Sequence, residues 1–273
     1  MSRPGVVTVY RWEMLKLRAQ KRTYLGLGIV TAVPLIFVVS IALRNGGPND
    51  VAFGRYVHQS GLAVPLVILV FASAFLLPLA TALVAGDIVA AEDNNGTLKT
   101  ILTRSLDRGQ IFAGKMLAAL TYALIALLLM GTVATVAGSI ESGFNGLISL
   151  SGTHISAWKA LELVYASFGV YLLPMLAIAA IGVLLSTTTR NSAGAVVGTV
   201  MVVLMLNLVD IIPGLEFFRP YLLPHQFDAW MGFLREPIDW SPIIRAAWVS
   251  AVYAIPCGFA AYLVFLRRDV AGG

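Results

Sequence analysis

GDIVAAEDNNGTLKTILTRSLDRGQIFAGK, residues 86–115, is the longest run within the hydrophobic body of the chain that cannot lie in lipid. It carries Asp87, Glu92, Asp93, Lys99, Arg104, Asp107, Arg108 and Lys115 between two very apolar segments. An ionised side chain is costly in hydrocarbon. A run this charged belongs to a connection between spans, where something polar grips it.

The composition identifies the surrounding solvent. Of the 273 residues, 58% are hydrophobic and 12% charged, and the mean hydropathy is +0.84. Such a chain spends most of its length in a bilayer. At about 20 apolar residues per crossing, six spans use nearly the whole length and leave no room for a soluble domain. They are placed at 24–43, 62–89, 111–138, 158–185, 193–212 and 244–266. The fold class is therefore an all-α membrane protein with six transmembrane helices. One membrane domain, 24–268, follows a connecting segment, 1–23, and precedes a short tail, 269–273. With edge residues counted in the nearest connection, 13 Lys and Arg fall on the side of both termini and the 90–110 connection, against 6 on the other. The excess places the termini and the charged connection in the cytoplasm.

Segment 1–23 has a basic start before an apolar run, as a signal peptide does. The run is too long for a signal core of about 7–15 residues, and no small-x-small site follows it, so it is expected to be retained. Val7, Tyr10, Met14 and Leu17 form one line and Arg11, Arg18 and Arg22 another. This pattern reads as an amphipathic helix on the membrane surface, suited to anionic headgroups or to a partner. The formal charge of +5 has the same origin. Its basic residues concentrate at membrane edges, so lipid, and no nucleic acid, is the expected partner.

Pro34, Pro65, Pro78, Pro174 and Pro256 fall inside predicted spans and are expected to bend them. Gly194 and Gly198 form a G-x-x-x-G pair in the fifth span, for close packing within one subunit or across a dimer. The external connection 212–243 is rich in proline and aromatics. Phe227, Trp230, Met231 and Leu234 share one face of a short helix there, read as a re-entrant or interfacial cap dipping into the outer leaflet. Segment 139–157 is rich in Gly and Ser and carries no chemical signal.

Enzyme chemistry finds little support. GQIFAGKM, residues 109–116, has the glycine and lysine spacing of a phosphate-binding loop, yet Met116 stands where a hydroxyl must reach magnesium, and the segment opens a span. ATP chemistry, if present, belongs to another chain. Asn95-Gly96-Thr97 is a glycosylation sequon on the cytoplasmic side, where it has no use. His58, His154 and His225 are far apart and Cys257 is the single cysteine, so no metal site is expected. Ionisable residues near the hydrocarbon are few, and all lie near interfaces: Asp87, the Lys159/Glu162 pair, and Asp210 beside Asn207. With no mid-membrane carboxylate or histidine, a proton- or sodium-coupled carrier is disfavoured. Asp87, Thr81, Asn207, Asp210, Phe217 and Phe218 are the candidates for a substrate path.

Glu92, Gly96-Thr97-Leu98, Ile101-Leu102, Arg108 and Gly114-Lys115 follow the second span in the order seen in type 2 ATP-binding cassette (ABC) transporter permeases. The six-span layout and the basic N-terminal helix resemble that family over the whole chain. The motif lies only within 86–115. The sequence departs from it at Ser105, where proline is common, and at Lys99, where an acidic residue is frequent. The resemblance implies a coupling helix that docks on an ABC ATP-binding subunit, with Glu92, Gly96, Thr97, Leu98, Ile101, Leu102, Arg104 and Arg108 as its site. Helical spacing permits this, because Leu98, Ile101 and Leu102 share one face and Thr97, Thr100 and Arg104 another. The same spacing permits a helix lying on the membrane.

The resemblance further implies two copies of the ATPase, a second permease copy, membrane lipid as surroundings, and a bacterial-type inner (plasma) membrane. ATP and Mg belong to the partner, and this chain holds no cofactor. Few interior charges and an aromatic outer cap suit a small amphipathic or lipid-like substrate, such as a drug, lipid or glycan precursor, moved outward. An ion or metal exporter and a non-transporting scaffold are the alternatives.

Overall fold

The computed structural model describes residues 5–43, 47–48, 50–97, 107–189 and 191–268. Helix α1 spans Val6–Ala19 and passes through the extended Gln20 into α2, Lys21–Ala42. Next come α3, Ala63–Ala74, α4, Leu76–Ala85, and the short α5, Ala90–Asn94. Beyond the charged connection lie α6, Arg108–Ser142, α7, Ala157–Thr188, and α8, Ser192–Ile211. The four-residue α9, Leu223–Gln226, sits between two 3₁₀ turns, and α10, Trp240–Arg267, closes the described chain.

Five of these helices, α2, α6, α7, α8 and α10, are long and apolar enough to cross a membrane, and the bent pair α3/α4 brings the total to as many as six. Their ends fall within four residues of the sequence expectation. The second span differs: 62–89 was expected to be one helix, and it is two, inclined by 62°. Pro78 explains the break. It is the third residue of α4, where its missing N–H is no loss, and its ring would collide with the carbonyl of residue 74 in a continuous helix. The chain escapes at Phe75, with φ −148° and ψ −44°, and restarts. Pro65 likewise occupies the first turn of α3, so only Pro34, Pro174 and Pro256 lie inside helices.

Helix α7 is the central post, with 67% of its most apolar stretch buried against 17% for α8. Val164, Phe168, Tyr171 and Met175 on α7 meet Leu66 and Leu69 of α3 and Leu127 and Met130 of α6 in one core. The turn that leads into α3 touches α6 through backbone: a Cβ on Gly61 would lie 2.2 Å from the carbonyl oxygen of Gly138. Only glycine allows that approach.

The end of the bundle remote from α1 is covered. A two-stranded antiparallel hairpin, β1 Leu147–Ile148 and β2 His154–Ile155, is tied to the 212–243 segment by Leu150 N–H donating to the Leu234 carbonyl at 2.8 Å. The face holding Phe227, Trp230 and Leu234 points into the core, against Tyr171 and Phe53, and all three are fully buried, with Met231 partly so. This corrects the expectation of a face dipping into lipid. Their apolar area is better satisfied by closing the top of the bundle, and Phe217, Phe218, Tyr221 and Trp240 remain outside.

Candidate functional site

The opposite end, which holds α1 and the end of α10, is built from ionic side chains, and α1 initiates it. Val9, Glu13 and Leu17 recur every fourth residue and form its buried face against α6. The line expected from the sequence was Val7, Tyr10, Met14 and Leu17. Val7 is instead 65% exposed, while Tyr10 and Met14 are half-buried. A carboxylate at the centre of a buried face requires a buried cation. Lys115 is that cation. It is fully buried, and its Nζ lies 3.1 Å from Glu13 Oε1, 2.6 Å from Glu92 Oε2 and 3.1 Å from the carbonyl of Ile88. Lys16 closes a ring, 2.9 Å from Glu13 Oε1 and 2.5 Å from Glu92 Oε1. Gly114 makes room for it, because a side chain there would meet Val9 of α1 at 2.6 Å.

The ring contains two carboxylates and two ammonium groups, which is what permits its burial. Burial raises the pKa of the Glu92 carboxyl, but the charges of Lys115 and Lys16 outweigh it and hold the group below its ordinary value of 4.5. Burial lowers that of Lys16, and Glu92 and Glu13 overcompensate, leaving it above 10.5.

Asp87, only 2% exposed, pairs with Arg22 of α2 and accepts the hydroxyl of Ser192 of α8. The backbone N–H groups of Val89 and Ala90, orphans at the start of α5, both donate to Ser186 Oγ of α7 at 3.0 Å. Asp93 pairs with Arg268 beyond α10 at 2.9 Å. Arg108 Nη1 donates to the carbonyls of Leu266 and Arg268 at 2.8 and 2.9 Å. The segment 87–108 therefore bonds to α1 and to every long helix of the bundle. Beside it lies a cavity of about 270 Å³ lined by Glu13, Lys16, Gln20, Arg22, Asp87 and Glu92, among others.

Of the residues expected to dock a partner, Glu92 belongs to the ring and Arg108 opens α6. Gly96 takes φ +69° after α5, and Thr97 Oγ1 donates to the Glu92 carbonyl at 3.1 Å. Leu98, Ile101, Leu102 and Arg104 lie outside the described residues. The phosphate-loop look-alike 109–116 is uninterrupted helix, and its lysine serves the ring.

The six substrate-path candidates are not brought together. Asp87 and Thr81 are buried, the former in its ion pair. Asn207 donates to the Val203 carbonyl, and the backbone carbonyl of Asp210 accepts from Arg219. Phe217 and Phe218 stack at 3.9 Å on the surface, near the far end of α8, which rises about 28 Å from Ser192 to Ile211. Gly194 is exposed, with only its own helix cap nearby, and Gly198 faces Leu185 of α7. Glu13, Ser186, Ser192 and Arg268 were not singled out from the sequence, and Arg22 was read only as part of a basic line suited to headgroups. Glu13 left a signal, as the sole acidic residue before Asp50. Among the described residues, no three His, Cys, Asp or Glu side chains cluster as metal ligands would.

Residues 10–207, which include most of this site, match the family described as ABC-2 family transporter protein. The chain belongs to the ABC-2 transporter family. It is a permease of that family, a multi-pass membrane component. A Bacillus subtilis (strain 168) protein named "Uncharacterized protein YhcI" is 27% identical to the ABC-2 permease over 210 residues, covering 72% of this chain and 65% of that protein. The permease thus spans less than two thirds of that relative.

Proposed function

We propose that this ABC-2 permease is the transmembrane subunit of an ATP-driven exporter and is driven through its 90–110 connection. The observation that carries this reading is the convergence of α1, α2, α6, α7, α8 and the end of α10 on segment 87–108. A displacement applied there reaches every long helix at once. A structural connection needs no such wiring.

In this reading, Leu98, Ile101 and Leu102 enter a groove on a separate ABC ATP-binding subunit in the cytoplasm, which holds ATP and Mg and performs the hydrolysis. Two ATPase copies serve two permease copies. The face of α8 formed by Val197, Met201, Met205, Leu208 and Ile211, exposed along its length, offers the second copy a surface, with Gly194 and Gly198 at its near end. ATP-driven closure of the ATPases draws the docked connections together and shifts the bundle between inward-open and outward-open states, and hydrolysis resets them. The cargo is a small amphipathic or lipid-like molecule leaving the cytoplasm or inner leaflet. Two features favour this class. The middles of the long helices carry no ionisable residue of the kind a hydrated ion path uses, and exposed aromatics ring the outer end.

The test is co-purification. Leu98→Asp or Ile101→Asp should abolish recovery of the ATPase subunit with tagged permease while leaving the permease in the membrane. Undiminished recovery with both variants contradicts docking at this site.

A further inference from the structure

Two ties reach the end of α10, and together they have a consequence for the connection they flank. Arg108 Nη1 donates to the carbonyls of Leu266 and Arg268, at 2.8 and 2.9 Å. These are carbonyls that a helix end leaves without internal partners. Arg268 Nη2, in turn, lies 2.9 Å from Asp93 Oδ2 and 3.4 Å from the Thr189 carbonyl. The Arg268 and Asp93 side chains are 12% and 24% exposed, so water screens this pair less than a surface ion pair. Asp93 and Arg108 stand on either side of the docking stretch, and both end on residues 266–268.

We infer that the last turn of α10 is a clamp: Arg268 and Arg108 hold the two ends of the coupling connection at a set spacing and bind α10 to its movement. The inference rests on the reading of 90–110 as the coupling segment. Holding both ends removes conformational freedom that a free loop would lose on docking. It also gives α10 a role at its far end. That end begins beside the outer cap, where Asp239 N–H donates to the Gly232 carbonyl at 3.0 Å. One helix then links the driven connection to the cover on the other side. Arg268 and Arg108 act here as positioning residues, through the connection and not through any substrate.

The test is limited trypsin digestion of the purified full-length permease, following by mass spectrometry the fragments that end at Lys99 and Arg104. Arg268→Ala and Arg108→Ala should each speed these cuts roughly tenfold, the scale of one lost charge-assisted hydrogen bond when opening precedes cleavage. Arg268→Lys, which keeps a cation for Asp93, should restore the slow rate. A purely structural role predicts cuts spreading to Lys159 and Arg245 in step with a lowered Tm, and that result overturns the clamp. Wild-type rates in both alanine variants overturn it as well. No ATPase is present in this assay. Failure of the clamp leaves the docking proposal standing, and failure of ATPase co-purification leaves the clamp standing.

Discussion

Lys115 shows how a single residue sets the energetics of the site. It is surrounded by two carboxylates and a backbone carbonyl with no exposure to solvent. Lys115→Met leaves Glu13 and Glu92 buried with only the half-exposed Lys16 between them, and stability should fall by about 3–5 kcal/mol, read by denaturant titration in detergent. Adding Glu13→Gln and Glu92→Gln to that variant should recover much of the loss, since an uncompensated charge costs more than an absent pair. Glu92 also sets a pH dependence. Its folded pKa lies below the ordinary 4.5, so its contribution is complete above that value and disappears as pH falls through the folded pKa. Thermal melts should therefore drop below about pH 4.5, and less steeply in Glu92→Gln. Glu92 and Lys115 stood out in the sequence because charge beside apolar spans is rare, but not as partners of one another. Glu13 did not, because its carboxylate occupies the position that helical periodicity reserves for an apolar residue, and only the partner across α6 accounts for it.

At the scale of elements, glycine and proline determine how the helices meet. Gly61→Ala places a methyl carbon against the Gly138 carbonyl and should cost about 1–3 kcal/mol, measurable as a lower Tm of the solubilised protein. The five long helices were readable from hydropathy because their ends are marked by charge or by caps. Asn191 accepts from Gly194 N–H, and Asp239 accepts from Ser241 N–H. The break at Phe75 was not readable. A proline in an apolar run fits a kink as well as a stop, and tertiary packing decides between them. The cover over the far end of the bundle follows the same logic. Its shared face of Phe227, Trp230 and Leu234 was visible as a pattern, but the side it turns to depended on the core waiting beneath it.

At the scale of the whole molecule, the two ends of the bundle are built from opposite chemistry. One end is an ionic hub in which a single connection bonds to every long helix, and the other is an aromatic cover with its face turned inward. Between them the long helices carry no charge of their own in mid-membrane. In the proposed function, force enters through the hub. Spin labels on Val197→Cys, in a Cys257→Ser background and in the complete complex, report the separation of the two α8 helices. This separation should shift between the nucleotide-free and ATP-vanadate states, and Leu98→Asp should abolish the shift. Identical distances in the two states, in a complex that hydrolyses ATP, would contradict entry of force through the hub.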